Sequence, residues 1–185
     1  MRHTLIARVE DRPGAMNRLL GLLRGRGLGV HSIAFGESET PGVKRTTVLV
    51  DTDNVDQTMK QLNRLIEVLE VTDVTNSQFV VRETALVKIH APGGEGEPRR
   101  EEIRAVAEGF GARVIGSGPQ SVVVEMTDTP ARLGEMIALA QVLGACETMR
   151  SGSLAMALGA AIPREQPPAG DDKGRPWWSQ ADGVS

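Results

Sequence analysis

Between Thr4 and Glu10 the apolar residues Leu5, Ala7 and Val9 recur at every second position, which predicts a strand ending at the turn signal Asp11-Arg12-Pro13-Gly14. The period then changes. Met16, Leu19, Leu20 and Leu23 fall at helical offsets, and Gly25 and Gly27 supply stop signals. Val30 to Phe35 and Lys44 to Val50 read as two strands of a hairpin across a loop rich in Glu, Ser, Thr, Pro and Gly. Thr52 or Asp53 is expected to cap a second helix with the stripe Val55, Met59, Leu62, Ile66 and Leu69, its end giving way to a strand near Val68.

From Ala85 the same order of signals returns. Leu86-Val87-Lys88-Ile89 predicts a strand, and a helix from Pro98 presents Ile103, Val106, Ala107 and Phe110 before Gly111. Ala112 to Ile115 and Ser121 to Met126 form a hairpin across Gly116-Ser117-Gly118-Pro119. Asp128 or Thr129 caps a last helix with Pro130 in its first turn and Leu133, Met136, Ile137 and Ala140 on one face. A single strand from Cys146 to Ala157 closes the unit. The pattern predicts an α+β protein of two tandem ferredoxin-like β-α-β-β-α-β modules, residues 1–78 and 79–160, linked near Asn76 to Thr84. In each, a four-stranded sheet with both helices on one face leaves a face or edge to cover, so pairing between chains is expected, in the first instance as a dimer.

Residues 161–185 change composition abruptly toward Pro, Gly and charge and are expected to form a poorly ordered tail. Trp177-Trp178 within it either docks on a partner or is incidental. Composition narrows the function further. Apolar residues make up 40% of the 185, enough for real cores, yet three Phe, two Trp and no Tyr leave little for stacking on bases. With 21 basic against 24 acidic residues the net charge is -3, the wrong sign to hold a nucleic-acid backbone. No long apolar run marks a leader or a membrane span, so a cytoplasmic protein is expected. Cys146 stands alone and reads as a small core residue at the start of a strand. His3, His31 and His90 are scattered, and no triad, metal cluster or phosphate loop accompanies them, so neither catalysis nor a cofactor is expected of this chain.

The strand-to-helix junction at Asp11-Arg12-Pro13-Gly14-Ala15-Met16 is the candidate ligand loop. The first N-H groups of a helix lack internal partners and, with the helix dipole, suit a carboxylate, while Gly14 and Ala15 leave room for its approach. Asp11 either caps the helix or meets an ammonium group. A Pro-Gly helix start is also commonplace in proteins that bind nothing there.

The phrase from Arg8 to Gly27, R-V-E-D-R-P-G-A-M-N-R-L-L-G-L-L-R-G-R-G, resembles the opening of an ACT domain, the regulatory module that binds amino acids in many biosynthetic enzymes. Val30-His31-Ser32-Ile33 follows at the expected place. Val81-Arg82-Glu83-Thr84-Ala85-Leu86-Val87-Lys88-Ile89 and Met149-Arg150-Ser151-Gly152 resemble the second domain of acetolactate synthase small subunits. The resemblance covers about residues 1–160 and leaves the tail unmatched.

The resemblance implies a non-catalytic regulatory subunit of branched-chain amino acid biosynthesis. It docks on a large catalytic subunit that uses thiamine diphosphate, Mg and FAD, activates it, and confers feedback inhibition, usually by valine. It implies ACT domains paired side by side with the effector between them: Asp11, Pro13, Gly14, Ala15 and Met16 from one chain, Gly29 and Val30 from the other, with Val30 against the aliphatic side chain. Relatives often carry Asn at both Asp11 and Gly29. The missing amide at Gly29 removes a contact worth about 1 kcal/mol or more, whereas Asp11 strengthens contact with an ammonium group. A second reading is a free-standing tandem ACT sensor acting through other protein partners. A small enzyme on the same fold ranks below both, for want of a nucleophile beside a base.

Overall fold

The computed structural model describes residues 1–90 and 96–158; the expectations for the tail and for Trp177-Trp178 lie outside them. The chain forms two compact units that divide after Phe79, residues 156–158 grouping with the first. Each unit builds an antiparallel sheet with two helices, so both are the expected ferredoxin-like modules.

The first unit runs β1 (Arg2–Glu10), α1 (Ala15–Gly25), β2 (Gly29–Glu37), β3 (Val43–Asp51), α2 (Val55–Leu62) and β4 (Val68–Asp73), in the sheet order β2-β3-β1-β4. The alternation read from the sequence decides the core: Leu5, Ala7 and Val9 of β1 and Val48 and Val50 of β3 meet Leu19, Leu23 and Leu62 of the helices. The buried stripe of α1 is Ala15, Leu19 and Leu23, rotated from the expected one, with Leu20 facing outward. Neither Thr52 nor Asp53 caps α2. The Oδ1 of Asn54 accepts the Gln57 amide at 2.9 Å, while the Thr52 hydroxyl is engaged with Thr58 at 3.1 Å. α2 is also short: it stops at Leu62, leaving Ile66 exposed, and β4 begins at Val68 as expected.

The second sheet and its helices comprise β5 (Phe79–His90), α3 (Gly96–Phe110), β6 (Arg113–Ser117), β7 (Ser121–Asp128), α4 (Pro130–Leu143), β8 (Cys146–Arg150) and β9 (Leu154–Ala157). The order β6-β7-β5-β8 repeats that of the first unit, with β9 also paired to β5. Ala85, Val87 and Ile89 pack with Val122, Val124 and Met126 against Ile103, Ala107, Leu133, Met136 and Ala140. Thr129 caps α4, its hydroxyl accepting the Arg132 amide at 3.4 Å, and Pro130 occupies the first helical position, where no amide is needed.

Two expectations for this unit change. β5 starts at Phe79 and so absorbs most of the expected link. The closing strand is two strands, because Ser151-Gly152-Ser153 breaks it, with Gly152 at φ +81° where a side chain is disfavoured. Cys146 lies half-buried at the start of β8 against the core, and burial pushes its thiol above the ordinary value. Among the described residues no helix is long and apolar enough to cross a membrane.

Candidate effector site

The loop between β1 and α1 is fixed at both ends by backbone bonds. The Asp11 amide donates to the Gly42 carbonyl at 2.8 Å, tying the loop to the β2-β3 turn, and the Ala15 amide donates back to Arg12 at 3.1 Å. Gly14 is the N-cap of α1 at φ +82°, a conformation that makes glycine the fitting residue, and no side chain caps the helix. Asp11 therefore does not cap it. Its carboxylate lies 3.4 Å from the Lys44 ammonium, which also binds Glu37. Glu37 above all, with Asp11 and against partial burial, raises Lys44 above its ordinary value.

With no cap and no acidic residue in the first turn, the amides of Gly14, Met16 and Asn17 have no acceptor among the described residues. They form the positive end of a helix dipole. Arg18, which the sequence reading passed over, lies beside them. It sits four residues past Gly14, so its side chain returns over the same turn of the helix. A Cβ at Gly14 would come within 3.0 Å of the guanidinium, which donates to the Pro13 carbonyl at 3.4 Å and to the buried Glu67. Arg18, outweighing desolvation, holds Glu67 below the usual carboxylate range. Asp11, Pro13 and Gly14 are exposed, Met16 is half-buried, and Ala15 packs into the core.

Gly29 and Val30 are elsewhere. β1 and β2 both pair with β3, so Gly29 and Arg2 share the partner Asp51, whereas Glu10 is level with Val43 at the far end. Eight residues separate Arg2 from Glu10 along β1, or about 26 Å at ~3.3 Å per residue. One chain cannot bring Gly29 and Val30 to its own loop. Both are exposed on β2, an edge strand.

The two phrases near the module boundary and the chain's last strands meet within the second unit. Arg150 grips the buried Glu83 with two bonds, 2.7 and 2.8 Å, and donates to the Pro130 carbonyl at 3.3 Å. Ser151 donates its amide to the Thr84 carbonyl at 2.9 Å, and its hydroxyl accepts the Thr84 amide at 3.0 Å. A cavity of ≈ 420 Å³ in this unit is lined by His90, Arg99, Gln120 and residues 142–145, and by none of the seven predicted site residues. The three histidines each face a carboxylate: His3 with Asp73, His31 with Asp51, and His90 with Glu147. Among the described residues no three potential metal ligands cluster.

Family models match both units, residues 5–70 as "AHAS small subunit-like ACT domain" and residues 82–159 as "Small subunit of acetolactate synthase". The chain is similar to the acetolactate synthase small subunit of Bacillus subtilis, 37% identical over 163 residues, covering 86% of this chain and 92% of that protein. It is also 36% identical to the probable acetolactate synthase small subunit of Methanothermobacter thermautotrophicus over 160 residues, 85% of this chain and 94% of the relative. The chain belongs to the acetolactate synthase small-subunit family. The crystal structure of the small subunit from Thermotoga maritima superposes with a TM-score of 0.77 at 29% identity, covering 87% of this chain and 99% of that one. Membership of the small-subunit family makes the first unit a regulatory ACT domain, and the Glu83-Arg150 clasp lies within the residues matched by the second family model.

Proposed function

We propose that the chain is a regulatory subunit that docks on and activates an acetolactate synthase catalytic subunit and confers feedback inhibition by a branched-chain amino acid, valine first among them. The observation that carries this reading is the start of α1. Three amides at the helix start lack an acceptor among the described residues, and the Arg18 guanidinium lies over Gly14 beside them, so a carboxylate would meet both. Asp11 supplies the loop's own negative charge toward the ammonium group.

The far position of Gly29 and Val30 fits a site made by two copies. If two β2 edges pair antiparallel, the start of one strand falls beside the end of the other, and the loop from Asp11 to Met16 lies at that end. Val30 of one copy then meets the aliphatic side chain held at the loop of the other. Effector binding shifts the paired domains through its difference in affinity for two states, and catalytic output falls with it. Thiamine diphosphate, Mg and FAD belong to the catalytic subunit on this reading.

Calorimetric titration with valine, leucine and isoleucine tests the site. Gly14→Asp places a carboxylate at a left-handed position, against Arg18 and against the incoming carboxylate, and should abolish binding. Equal binding by both proteins would overturn the site. Co-purification with a thiamine-diphosphate enzyme distinguishes the regulatory subunit from a free-standing sensor, which should bring none down.

A further inference from the structure

The two terminal nitrogens of Arg18 face different ways. Nη2 donates to Glu67 Oε1 and, at 3.4 Å, to the Pro13 carbonyl. Nη1 is the atom that a Cβ at Gly14 would meet at 3.0 Å, and it has no acceptor among the described residues. One nitrogen is tethered while the other is open toward the start of α1. The loop's other guanidinium is engaged elsewhere, since Arg12 Nε lies 2.6 Å from the Glu10 carboxylate.

Glu67 makes the tether hard to release. Its side chain is 6% accessible, against 50% for Arg18. Its Oε2 is buried without a partner among the described residues, so the charge of Glu67 is compensated through Oε1 by Arg18. Swinging Arg18 into solvent would strand a buried carboxylate, a constraint that an ion pair exposed on both sides does not impose. Glu67 is itself fixed by the backbone: its carbonyl accepts the Glu10 amide at 2.7 Å, and β4 begins at the next residue, Val68. Through Glu67 and Arg18 the end of β1 and the start of β4 are joined to the start of α1.

A free arginine on a helix surface loses rotamer freedom when it meets a ligand. One already pinned loses little, and its remaining N-H groups keep a fixed direction. We propose that Glu67 is a positioning residue of the effector site: it holds Arg18 so that Nη1 and the open amides of α1 meet one amino-acid carboxylate together. This rests on the effector reading above. Glu67 touches no ligand on this assignment, and its charge by itself would repel a carboxylate. Its contribution is the place it gives Arg18.

That opposition of sign makes the assignment testable by calorimetric titration of the full chain with valine. Electrostatics alone predicts that Glu67→Ala strengthens binding, because a nearby negative charge is lost. Positioning predicts a fall of about tenfold or more, the scale of a charge-assisted hydrogen bond. Glu67→Gln keeps an acceptor at the same length and should restore most of the affinity. The loss should vanish in an Arg18→Ala background, where nothing is left to position, whereas a general distortion of the site would still weaken binding there. If Glu67→Ala fails to fold, Arg18→Lys carries the test. Lysine keeps the charge and can pair with Glu67, but it has no second nitrogen to turn toward Gly14, so affinity should again fall about tenfold. Wild-type protein that binds none of valine, leucine and isoleucine overturns the effector site and this assignment with it. Wild-type binding that Glu67→Ala leaves unchanged or strengthens, or that Arg18→Lys leaves unchanged, overturns the assignment of Glu67 alone.

Discussion

Replacing Arg150 by Met should destabilise the second unit more than replacing Glu83 by Gln, although both break the same ion pair. The asymmetry follows from burial. The Glu83 side chain is 7% accessible and that of Arg150 37%. Arg150→Met leaves a carboxylate stranded where water cannot solvate it, at about 3 kcal/mol or more, the scale for breaking a buried pair from one side. Glu83→Gln frees a guanidinium that can rehydrate and still reach the Pro130 carbonyl, so only the charge-assisted part is lost, about 1.5 kcal/mol. The double variant should then be more stable than Arg150→Met alone, since no buried charge remains. Urea unfolding followed by far-UV circular dichroism, with hydrogen exchange at β5 and β8 to locate the loss, measures all three. Equal losses from the two single variants, or strictly additive ones in the double variant, would refute the assignment of the clasp as a buried pair.

Gly144→Ala should lower the melting temperature of the second unit, because the new methyl would stand 2.3 Å from the His90 carbonyl oxygen; overpacking of this kind costs about 1 to 3 kcal/mol. The glycine is extended, so space rather than backbone strain is at issue, and an unchanged melting temperature would show that the end of β5 yields freely. At Asp73, burial raises the carboxyl, but the hydroxyl and amide of Thr75 and the ring of His3 together outweigh it and hold it below the ordinary value. A depressed folded-state value means that the unfolded chain takes up the proton first. The stability Asp73 contributes is therefore complete above the ordinary carboxylate range and is lost as pH falls through the folded value. Asp73→Asn should flatten that part of a urea-stability profile taken from neutral to acid pH, and an unaltered slope would exclude Asp73 as a source.

The fold was legible wherever one face of an element is buried. Leu5, Ala7 and Val9 line the face of β1 that the helices cover, as Val122, Val124 and Met126 do in β7, although Thr4, Ile6 and Arg8 on the other face of β1 are buried too. It was obscured where polar residues do structural work. Ser77, Gln78, Arg82 and Glu83 read as a link, yet Glu83 is buried in β5 because Arg150 neutralises it from β8. Similarly, Thr52 and Asp53 read as caps of α2, yet the atomic contacts single out the next residue, Asn54, Thr52 being turned toward Thr58.

The proposed ligand loop reads from the sequence as chemistry and not as geometry. Pro13-Gly14-Ala15 announces a helix start, but that Asp11 leaves it uncapped is visible only in the contacts, and Arg18 reads as one more solvated helix residue until Gly14 is seen to lie under its guanidinium. Sequence distance misleads more at Gly29: only thirteen residues past Met16, it stands at the opposite end of the sheet, because α1 carries the chain back along β1 before β2 begins. On the proposed reading that separation is functional. A sensor whose carboxylate site and aliphatic site lie about 26 Å apart on each chain cannot close on its ligand alone, so effector binding and chain pairing draw on one interface and each must strengthen the other by the same factor.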